Sequence, residues 1–510
     1  MSRINTNVGS LLAQRILSQQ NSSLKGSLEK LSTGLQINRG ADNPAGLIAS
    51  EKLRSEKAAI NAAIGNAERA DQVVNIGEGG LQEINSLLLE VQGLVGDSAN
   101  KAGTSTEEKQ ANQLQIDSIL QTIDRIASTT SFQGVKLLNG TFDFTITGQH
   151  ARVQDFQINA AKLAHSGTRD VQIVVTASAQ HGSLFLSFGA AVDQLNLTNA
   201  SSQFKFELAG AKGSREFVFS SGTKLSSIVA QINTYKDVLG VSAAVSSTNQ
   251  QYIFLRSTEF GTDQFVSFKL SDDGGQTGGV LQAASTNEES PTGTASTFAT
   301  IEGSNAVRDL GQDLGAIING IVATAQGRTA RINTDFLDLS ITLSAASGTP
   351  GAQTLGSFTA FTITGGGAKF NLGPNVDILN QVSVGIKNVA TRNLGDVTNG
   401  YLNTLASGQA NNVVTGNLET AQKIVNSSID QLTALRGRLG AFQKNIVGAT
   451  IRSLGVSLEN TSAAESNIRD TDFAKETASL TRSQILVNAA TNVLSLANNQ
   501  PQSVLQLLGG

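Results

Sequence analysis

The stretch INAAIGNAERADQVVNIGEGGLQEINSLLLEVQGLV, residues Ile60–Val95, decides the fold. Its apolar and small side chains recur in steps of three and four, which is the spacing of one face of an α-helix. The positions are Ile60, Ala63, Ala67, Ala70, Val74, Gly77, Leu81, Ile84, Leu88, Val91 and Val95. The pattern lasts for about five heptads, and a helix from Leu53 to Val95 would be about 64 Å long. Such a length suits a rod rather than a compact domain.

A matching pattern occurs near the other end of the chain. Val425, Leu432, Leu435, Leu439, Phe442, Ile446 and Ala449 keep the same rhythm, interrupted at Ser428. Because a heptad stripe needs a partner, the two regions are predicted to pair as an antiparallel bundle that brings the termini together. The predicted rod seam consists of Ile60, Val74, Leu81, Leu88, Val95, Leu432, Leu435, Leu439, Phe442 and Ile446.

The outermost segments carry narrower stripes, which we define as the self-assembly seam. It consists of Leu17, Leu24, Leu28, Leu31, Leu35, Leu480, Val487 and Leu494. These stripes are too short to form stable isolated helices, so they are either disordered in a single chain or buried against other copies. Head-to-tail association of this kind does not close and produces filaments. Pro501 is expected to end or kink the last helix.

The middle of the chain changes to a period of two. Phe142, Phe144 and Ile146 alternate with polar residues, and the runs VQIVV, SLFLSF, FKFEL, REFVF, YIFLR and FVSFKL follow. This pattern predicts short antiparallel strands, with one amphipathic helix at Leu225–Tyr235. The fold class is therefore α+β: a discontinuous α-helical coiled-coil rod built from both termini, with an inserted β-rich outer region. The predicted divisions are 1–43 with 466–510 (terminal coiled coil), 44–171 with 362–465 (rod with a β-hairpin), and 172–361 (exposed β-rich region with room for two subdomains).

Composition argues against several classes of function. The 510 residues include no Cys and no Trp, and only 15% are charged, with a formal net charge of −4. Thiolate metal sites and a general electrostatic grip on nucleic acid or membranes are therefore not expected. The three His lie apart, and no H-E-x-x-H, G-x-S-x-G or Gly-Lys pattern occurs. We expect no catalytic residues, no metal site, no cofactor, no secretory signal peptide and no membrane span.

Four blocks of sequence resemble the bacterial flagellin family. They are INTNVGSLLAQ (Ile4–Gln14), LEKLSTGLQINRGADNPAGLIASEKLRS (Leu28–Ser55), ASTTSFQGVKLLNG (Ala127–Gly140) and a long C-terminal match that runs from LTALRGRLGAFQKNI (Leu432–Ile446) through NIRDTDFAKETASLTRSQILVNAATNVLSLANNQPQSVLQLL (Asn467–Leu508). The segment Phe206–Val245 is similar to a repeat in the variable middle of many flagellins and hook-associated proteins.

The resemblance implies a subunit of the extracellular flagellar filament that serves swimming motility. It also implies export of the unfolded chain through the flagellar type III channel and a cytoplasmic chaperone at the C-terminus. The implied partners are further copies of the chain, the export apparatus, the filament cap and the hook-associated junction proteins. The alternative that stays open is a hook–filament junction protein, or a minor flagellar or adhesion protein with the same terminal coiled coils.

Three positions concern recognition of flagellins by an innate-immune Toll-like receptor. On the long helix, Glu90 stands where recognised members of the family carry Arg, whereas Leu94 is retained. On the following helix, Gln115 replaces the family's Glu. A reversed charge at a contact opposes binding, so the resemblance implies weak or absent receptor activation by this chain. The alternative interpretation is that these positions are simply solvated.

Overall fold

A computed structural model of the chain describes residues 6–100, 103–163, 167–189, 193–199, 201–245, 252–284, 287–345 and 353–508. Long helices occupy both terminal regions and strands occupy the middle, which confirms the predicted α+β class. The helices are α1 Val8–Thr33, α2 Pro44–Ala99, α3 Thr106–Thr129, α4 Leu225–Thr234, α5 Lys236–Leu239, α6 Phe298–Ile301, α7 Leu418–Ala441, a π-helix Phe442–Val447, α8 Gly448–Arg469 and α9 Phe473–Leu508. A short 3₁₀ helix spans Leu402–Leu405.

The chain divides into two compact units. Unit 1 contains Met1–Asn75, Phe370–Gln381 and Arg436–Gly510, and unit 2 contains Ile76–Lys369 and Val382–Leu435. The long helix α2 begins in unit 1 and ends in unit 2. At 56 residues it is about 84 Å long, longer than the stretch expected from its heptads. The domain boundaries predicted above do not coincide with this division and stay a prediction.

Within unit 1, α1 and α9 pair in antiparallel fashion, and we call them the helix pair. Asn7 caps the start of α1, its side-chain oxygen accepting a hydrogen bond from the Ser10 N–H. Gly34 ends the helix in the left-handed conformation, with φ of 72°. Leu35, predicted to lie on the same helical stripe, therefore lies beyond the helix. There it forms an antiparallel bridge with Asp470, because Gly34 has already turned the chain.

The loop between α1 and α2 is held by side chains that mimic backbone acceptors. The Asp42 carboxylate accepts hydrogen bonds from the Asn38 and Arg39 N–H groups, and these bonds lower the pKa of Asp42. The Asn43 side chain accepts from the Gly46 N–H as α2 begins at Pro44. Proline at the first turn costs no helical hydrogen bond, because the N–H groups of that turn have no partner within the helix.

The remaining helices of unit 1 pack α8 against the first half of α2. Ile60, Ala63 and Leu454 form a buried cluster there. Ion pairs flank it, with the Lys57 Nζ 3.2 Å from a Glu465 carboxylate oxygen. Small residues on α2 leave room for close helix packing.

A π-helical turn interrupts the C-terminal heptads in unit 1. Phe442 is buried, but Ile446, predicted for the rod seam, is 38% exposed, whereas Val447 is fully buried. A π-turn contains one more residue than an α-turn, so it moves the apolar stripe by one position. The prediction that Ile446 belongs to the rod seam is therefore wrong, and Val447 takes its buried position.

In unit 2, the second half of α2 packs with α3 and the start of α7. The predicted seam positions Leu81, Leu88, Val95, Leu432 and Leu435 are all buried. Helix α3 begins with a capping box, in which the side chains of Ser105 and Glu108 each accept a hydrogen bond from the other residue's backbone N–H. A side chain at Gly80 would collide with Thr130 and Leu138, so this glycine lets the segment after α3 lie against α2.

Polar side chains along α3 hold the return segment of unit 2. The Asp124 carboxylate accepts hydrogen bonds from both the N–H and the hydroxyl of Thr391. The Gln113 amide donates to the Leu405 carbonyl and accepts from the Val413 N–H. Each contact satisfies a backbone group of a segment with little secondary structure of its own.

The rest of unit 2 contains two hydrophobic clusters, each between two antiparallel sheets. In the first β-cluster, the five-stranded sheet has the strand order Ile321–Val322, Gly315–Ile318, Arg169–Ala177, Gly356–Gly366, Phe144–Thr147. The four-stranded sheet that faces it has the order Thr324–Gln326, Thr329–Asn333, Leu337–Leu343, Val153–Ala161. In the second β-cluster, the five-stranded sheet has the order Asn287–Thr297, Gly279–Ala284, Ser183–Ser187, Tyr252–Ser257, Val241–Val245. Its four-stranded sheet has the order Val307–Leu310, Phe265–Asp272, Gln203–Gly210, Ser214–Ser220. Shorter strands span Ser131–Phe132, Val135–Lys136, Ala368–Asn371, Gln381–Val384, Gly395–Asp396 and Gly400–Tyr401.

The second β-cluster is inserted into the first through two neighbouring connections. Gln180 on the outgoing connection and Gln312 on the returning one exchange both backbone hydrogen bonds, at 2.8 and 2.9 Å. Beside them, the ring of His181 stacks on Phe260 with centroids 3.7 Å apart, and its Nδ1 lies 3.0 Å from the Glu259 carbonyl oxygen. The junction is thus a small, well-packed polar and aromatic site.

Acid should weaken this junction through His181. Burial lowers the pKa of His181 to about 4, and the nearby Arg256 and Arg328 charges act in the same direction. Because the unfolded chain binds the proton first, this contribution to stability is complete above about pH 6.5 and falls as the pH approaches 4. We expect a loss of at most about 3 kcal/mol over that window.

Denaturant unfolding of unit 2 at a series of pH values measures the effect. In the His181→Gln variant, the free energy of unfolding should depend less steeply on pH between 6.5 and 4. At pH 8 this histidine is neutral in both the folded and the unfolded chain, so protonation contributes nothing to the difference between the two proteins there. An equally steep acid dependence in the variant would contradict the assignment.

Candidate assembly surface

The helix pair of unit 1 exposes large apolar side chains on both helices. On α1 these are Val8, Leu11, Leu12, Ile16 and Leu28, and on α9 they are Phe473, Ile485, Leu486, Val493 and Leu496. Their exposed fractions run from 41% to 71%. Eight of the ten, all except Leu28 and Phe473, lie in the half of the pair where the two termini meet, and exposed apolar side chains gathered on a surface are typical of a site of protein association. We call these ten residues the outer apolar face.

The predicted self-assembly seam lies mainly at the contact between α1 and α9. Leu17, Leu24, Leu31, Leu480, Val487 and Leu494 are half-buried, whereas Leu28 is 49% exposed and Leu35 lies in the loop. The fully covered positions of the pair are small: Ala13, Ser27, Ser483 and Ala490. One chain therefore covers these leucines only in part, and their role in assembly stays a prediction.

Charge is nearly absent from the end of the pair where the two termini meet. The sequence has no Asp, Glu, Lys or Arg after Arg482, and none between Ile4 and Gln14. Covering this surface would therefore remove few charges from water, so little desolvation energy opposes its association. Association there should depend weakly on salt, unlike a contact made by ion pairs.

The outer apolar face was missed by the heptad analysis, which recorded a single stripe per helix. Val8, Leu12 and Ile16 follow each other at intervals of four, with Leu11 beside them. That spacing is the signal of a second stripe on the same helix. It could have been found by searching each helix for two apolar faces instead of one.

The predicted rod seam and receptor-region residues lie on other helices. Ile60, Val74, Leu439 and Phe442 are buried in unit 1, and the remaining rod-seam residues are placed as described above. In unit 2, Glu90 and Gln115 are exposed and Leu94 is half-buried. The structure thus places both polar receptor-region positions where a partner can reach them, and their effect on a receptor stays a prediction.

Among the described residues, one acidic group has the spacing of cation ligands. Carboxylate oxygens of Asp272, Asp273 and Glu302 lie within 4.8 Å of one another. Glu302 is exposed and the two aspartates are half-buried, which is common for acidic side chains without a metal. None of the helices in the described part of the chain is long and apolar enough to cross a membrane.

Family models match three parts of the chain. They are the bacterial flagellin N-terminal helical region at residues 4–143, the bacterial flagellin C-terminal helical region at 422–508, and the flagellin hook IN motif at 203–259. Together these cover more than half of the chain, including the whole of helices α1, α2, α3, α8 and α9.

Several characterised relatives align over nearly the whole length. Flagellin B of Helicobacter pylori and the B-type flagellin of Pseudomonas aeruginosa are each 27% identical, and Flagellin D of Vibrio anguillarum is 28% identical. Each alignment covers 99% of both chains. Among solved structures, FliC from Burkholderia pseudomallei is 14% identical over 74% of this chain and 99% of that chain, with a TM-score of 0.22. That score is too low to support an argument about domain arrangement.

Proposed function

The chain belongs to the bacterial flagellin family, and from this premise we propose that it polymerises into the extracellular flagellar filament used for swimming. The observation that supports this role is the outer apolar face on the helix pair. Full burial of an exposed apolar side chain contributes about 1.5–3 kcal/mol. These ten are 41–71% exposed, so each would contribute part of that value, and the sum favours association. The family is structural, which agrees with the absence of a catalytic motif in the sequence.

Assembly on this surface would be a heterologous, repeating association. A filament requires this face to meet a different surface of the neighbouring copy, because a face that met its own copy about a two-fold axis would close as a dimer. Each added copy would cover apolar side chains on its neighbours and would leave its own face for the next copy. The half-buried leucines of the self-assembly seam would be covered in the same step.

We further propose that the chain is exported unfolded through the flagellar type III channel. The part of α9 after Arg482 is uncharged and exposes Ile485, Leu486, Val493 and Leu496, so it would need cover in the cytoplasm, which supports the role of an export chaperone bound to the C-terminus. At the growing end, the filament cap and the hook-associated junction proteins would be the partners beside further copies of the chain. We keep the division into terminal coiled coil (1–43, 466–510), rod (44–171, 362–465) and outer region (172–361) as part of this proposal.

A junction or minor flagellar protein is the second candidate. The match of residues 203–259 to the hook IN motif is compatible with this role, but the same repeat resembles one in the middle of many flagellins and does not separate the two functions. Abundance separates the two functions. Filaments sheared from the cells that make this chain should contain it as the major protein, and a trace amount would favour the second candidate.

Seeded polymerisation tests the proposed function directly. Purified full-length chain incubated with short filament fragments should lengthen them in electron micrographs and should sediment with them. Fragments that keep their length at high concentrations of the chain would rule out a filament subunit.

Reversal of the charge at Glu90 should strengthen receptor recognition. We expect the unmodified chain to activate a flagellin-responsive reporter cell weakly, and Glu90→Arg to lower the half-maximal concentration about fivefold, equivalent to about 1 kcal/mol. Glu68→Arg, at an exposed position of the same helix, is the matched control and should leave the response unchanged. A potent response to the unmodified chain would refute the expectation.

A further inference from the structure

Helix α9 continues through Pro501 to Leu508, so the first of the two effects expected of this proline, an end of the helix, does not occur. Proline has no N–H, so the carbonyl oxygen four residues earlier, that of Ala497, receives no helical hydrogen bond from it. An unpaired carbonyl within a helix is a cost that native structures normally relieve with another donor. The question is what relieves it here.

The donor is a side chain at the opposite end of the sequence. The Asn7 Nδ2 donates to the Ala497 carbonyl oxygen at 2.7 Å. The other end of the same amide, Oδ1, accepts from the Ser10 N–H at 3.0 Å and caps α1. One amide therefore starts the first helix and completes the last one.

Within the residues that the structure describes, few other polar groups join α1 and α9 near the contact between Asn7 and Ala497. Near it, the sequences of α1 and α9 have no charged residues that could make a directional contact. One further polar contact between the helices lies beside it, from the Ser10 hydroxyl to the Asn498 side-chain oxygen at 2.6 Å. At the opposite end of the pair, backbone hydrogen bonds from Gln36 to Arg469 and from Thr471 to Gly34 hold the helices together.

We propose that Asn7 docks the first turn of α1 onto α9 at the carbonyl that Pro501 leaves free. Proline creates the acceptor, and Asn7 recognises it, so the two residues act as a pair although 494 positions separate them. A single polar residue in an apolar helical interface is a known means of selecting one arrangement of two helices. This contact lies within one chain, so it does not rest on the filament function.

Engineered disulfides measure the docking, since the chain has no native Cys. A Cβ added at Gly9 would lie 3.9 Å from the Ala497 Cβ, which is within disulfide range. The pair Gly9→Cys/Ala497→Cys therefore reports docking of the first turn. The pair Leu35→Cys/Asp470→Cys, at the bridged end, is the internal reference in a parallel preparation.

The test is a double-mutant cycle on the full-length chain. Asn7→Ser keeps an oxygen that caps α1 but is too short to reach Ala497. It should slow formation of the 9–497 disulfide about fivefold relative to the 35–470 disulfide, the effect of one lost hydrogen bond. In a Pro501→Ala background, the new N–H satisfies Ala497, and Asn7→Ser should then slow the reaction less than about twofold.

Ser10→Ala is the matched control, because it removes the neighbouring contact to Asn498 without touching the free carbonyl. Its effect should be the same with Pro501 or Ala at that position. An equal effect of Asn7→Ser in both backgrounds, or no effect in either, would overturn the proposal. So would failure of both disulfides in the dilute chain and in the pelleted polymer alike, since α1 and α9 would then not pair as described.

Discussion

A Val487→Asp chain should remain in the supernatant at concentrations at which the unmodified chain forms a sedimentable polymer. Val487 is half-buried on α9, between the small covered residues Ser483 and Ala490. If assembly covers this position further, the carboxylate would be removed from water with no Lys or Arg after Arg482 to pair with it. An unpaired buried charge costs about 3 kcal/mol or more, which raises the concentration needed for assembly about 100-fold.

The control for this variant adds the same charge one residue later. Asn488 is exposed on the helix pair, so Asn488→Asp should change the critical concentration much less. Sedimentation over a range of concentrations, with electron microscopy of the pellets, compares the three chains. If Val487→Asp forms polymer at the same critical concentration as the unmodified chain, this seam residue is not covered in the assembled state.

Phe206→Ala should unfold the second β-cluster without preventing polymerisation. Phe206 is fully buried, and its ring lies 4.9 Å from that of Phe268 and 5.6 Å from that of Phe217. Truncation of such a side chain leaves a cavity and costs about 3–5 kcal/mol, a large part of the stability of one domain. Because the outer apolar face lies in unit 1, the variant should still sediment as polymer.

Tyrosine fluorescence during denaturation measures this variant. Two of the three Tyr of the chain, Tyr235 and Tyr252, belong to the second β-cluster or lie against it, and Trp is absent. Val218→Ala, between two buried phenylalanines on the same strand but 45% exposed itself, is the control and should shift the transition little. A loss of polymer by Phe206→Ala would show that assembly requires an intact second cluster.

The sequence predicted those features that depend on repeating local patterns. The heptads placed the long helix, and alternation placed strands such as Gln203–Gly210 and Phe265–Asp272. Burial repeats along each element, so its period can be read without knowledge of the partner.

The features that could not be predicted depend on single backbone events or on distant partners. Gly34 ends α1 one residue before Leu35, and a π-turn moves the stripe from Ile446 to Val447. Neither event has a hydrophobic period. At Pro501 the local rule predicts an interruption, but a side chain from the start of the sequence supplies the missing donor. The self-assembly seam was predicted on α1 and α9, where its role in assembly stays a prediction, and the outer apolar face on the same two helices was missed because only one stripe per helix was sought.

The mutual backbone bonding of Gln180 and Gln312 bears on how such proteins can diversify. The outgoing and returning connections leave and re-enter the first β-cluster side by side. The whole segment between Gln180 and Gln312 can therefore be exchanged, enlarged or deleted by one recombination event. The ends left behind are already within reach of a short closing turn. The same geometry makes this position suitable for displaying foreign peptides, because a graft needs only two adjacent attachment points.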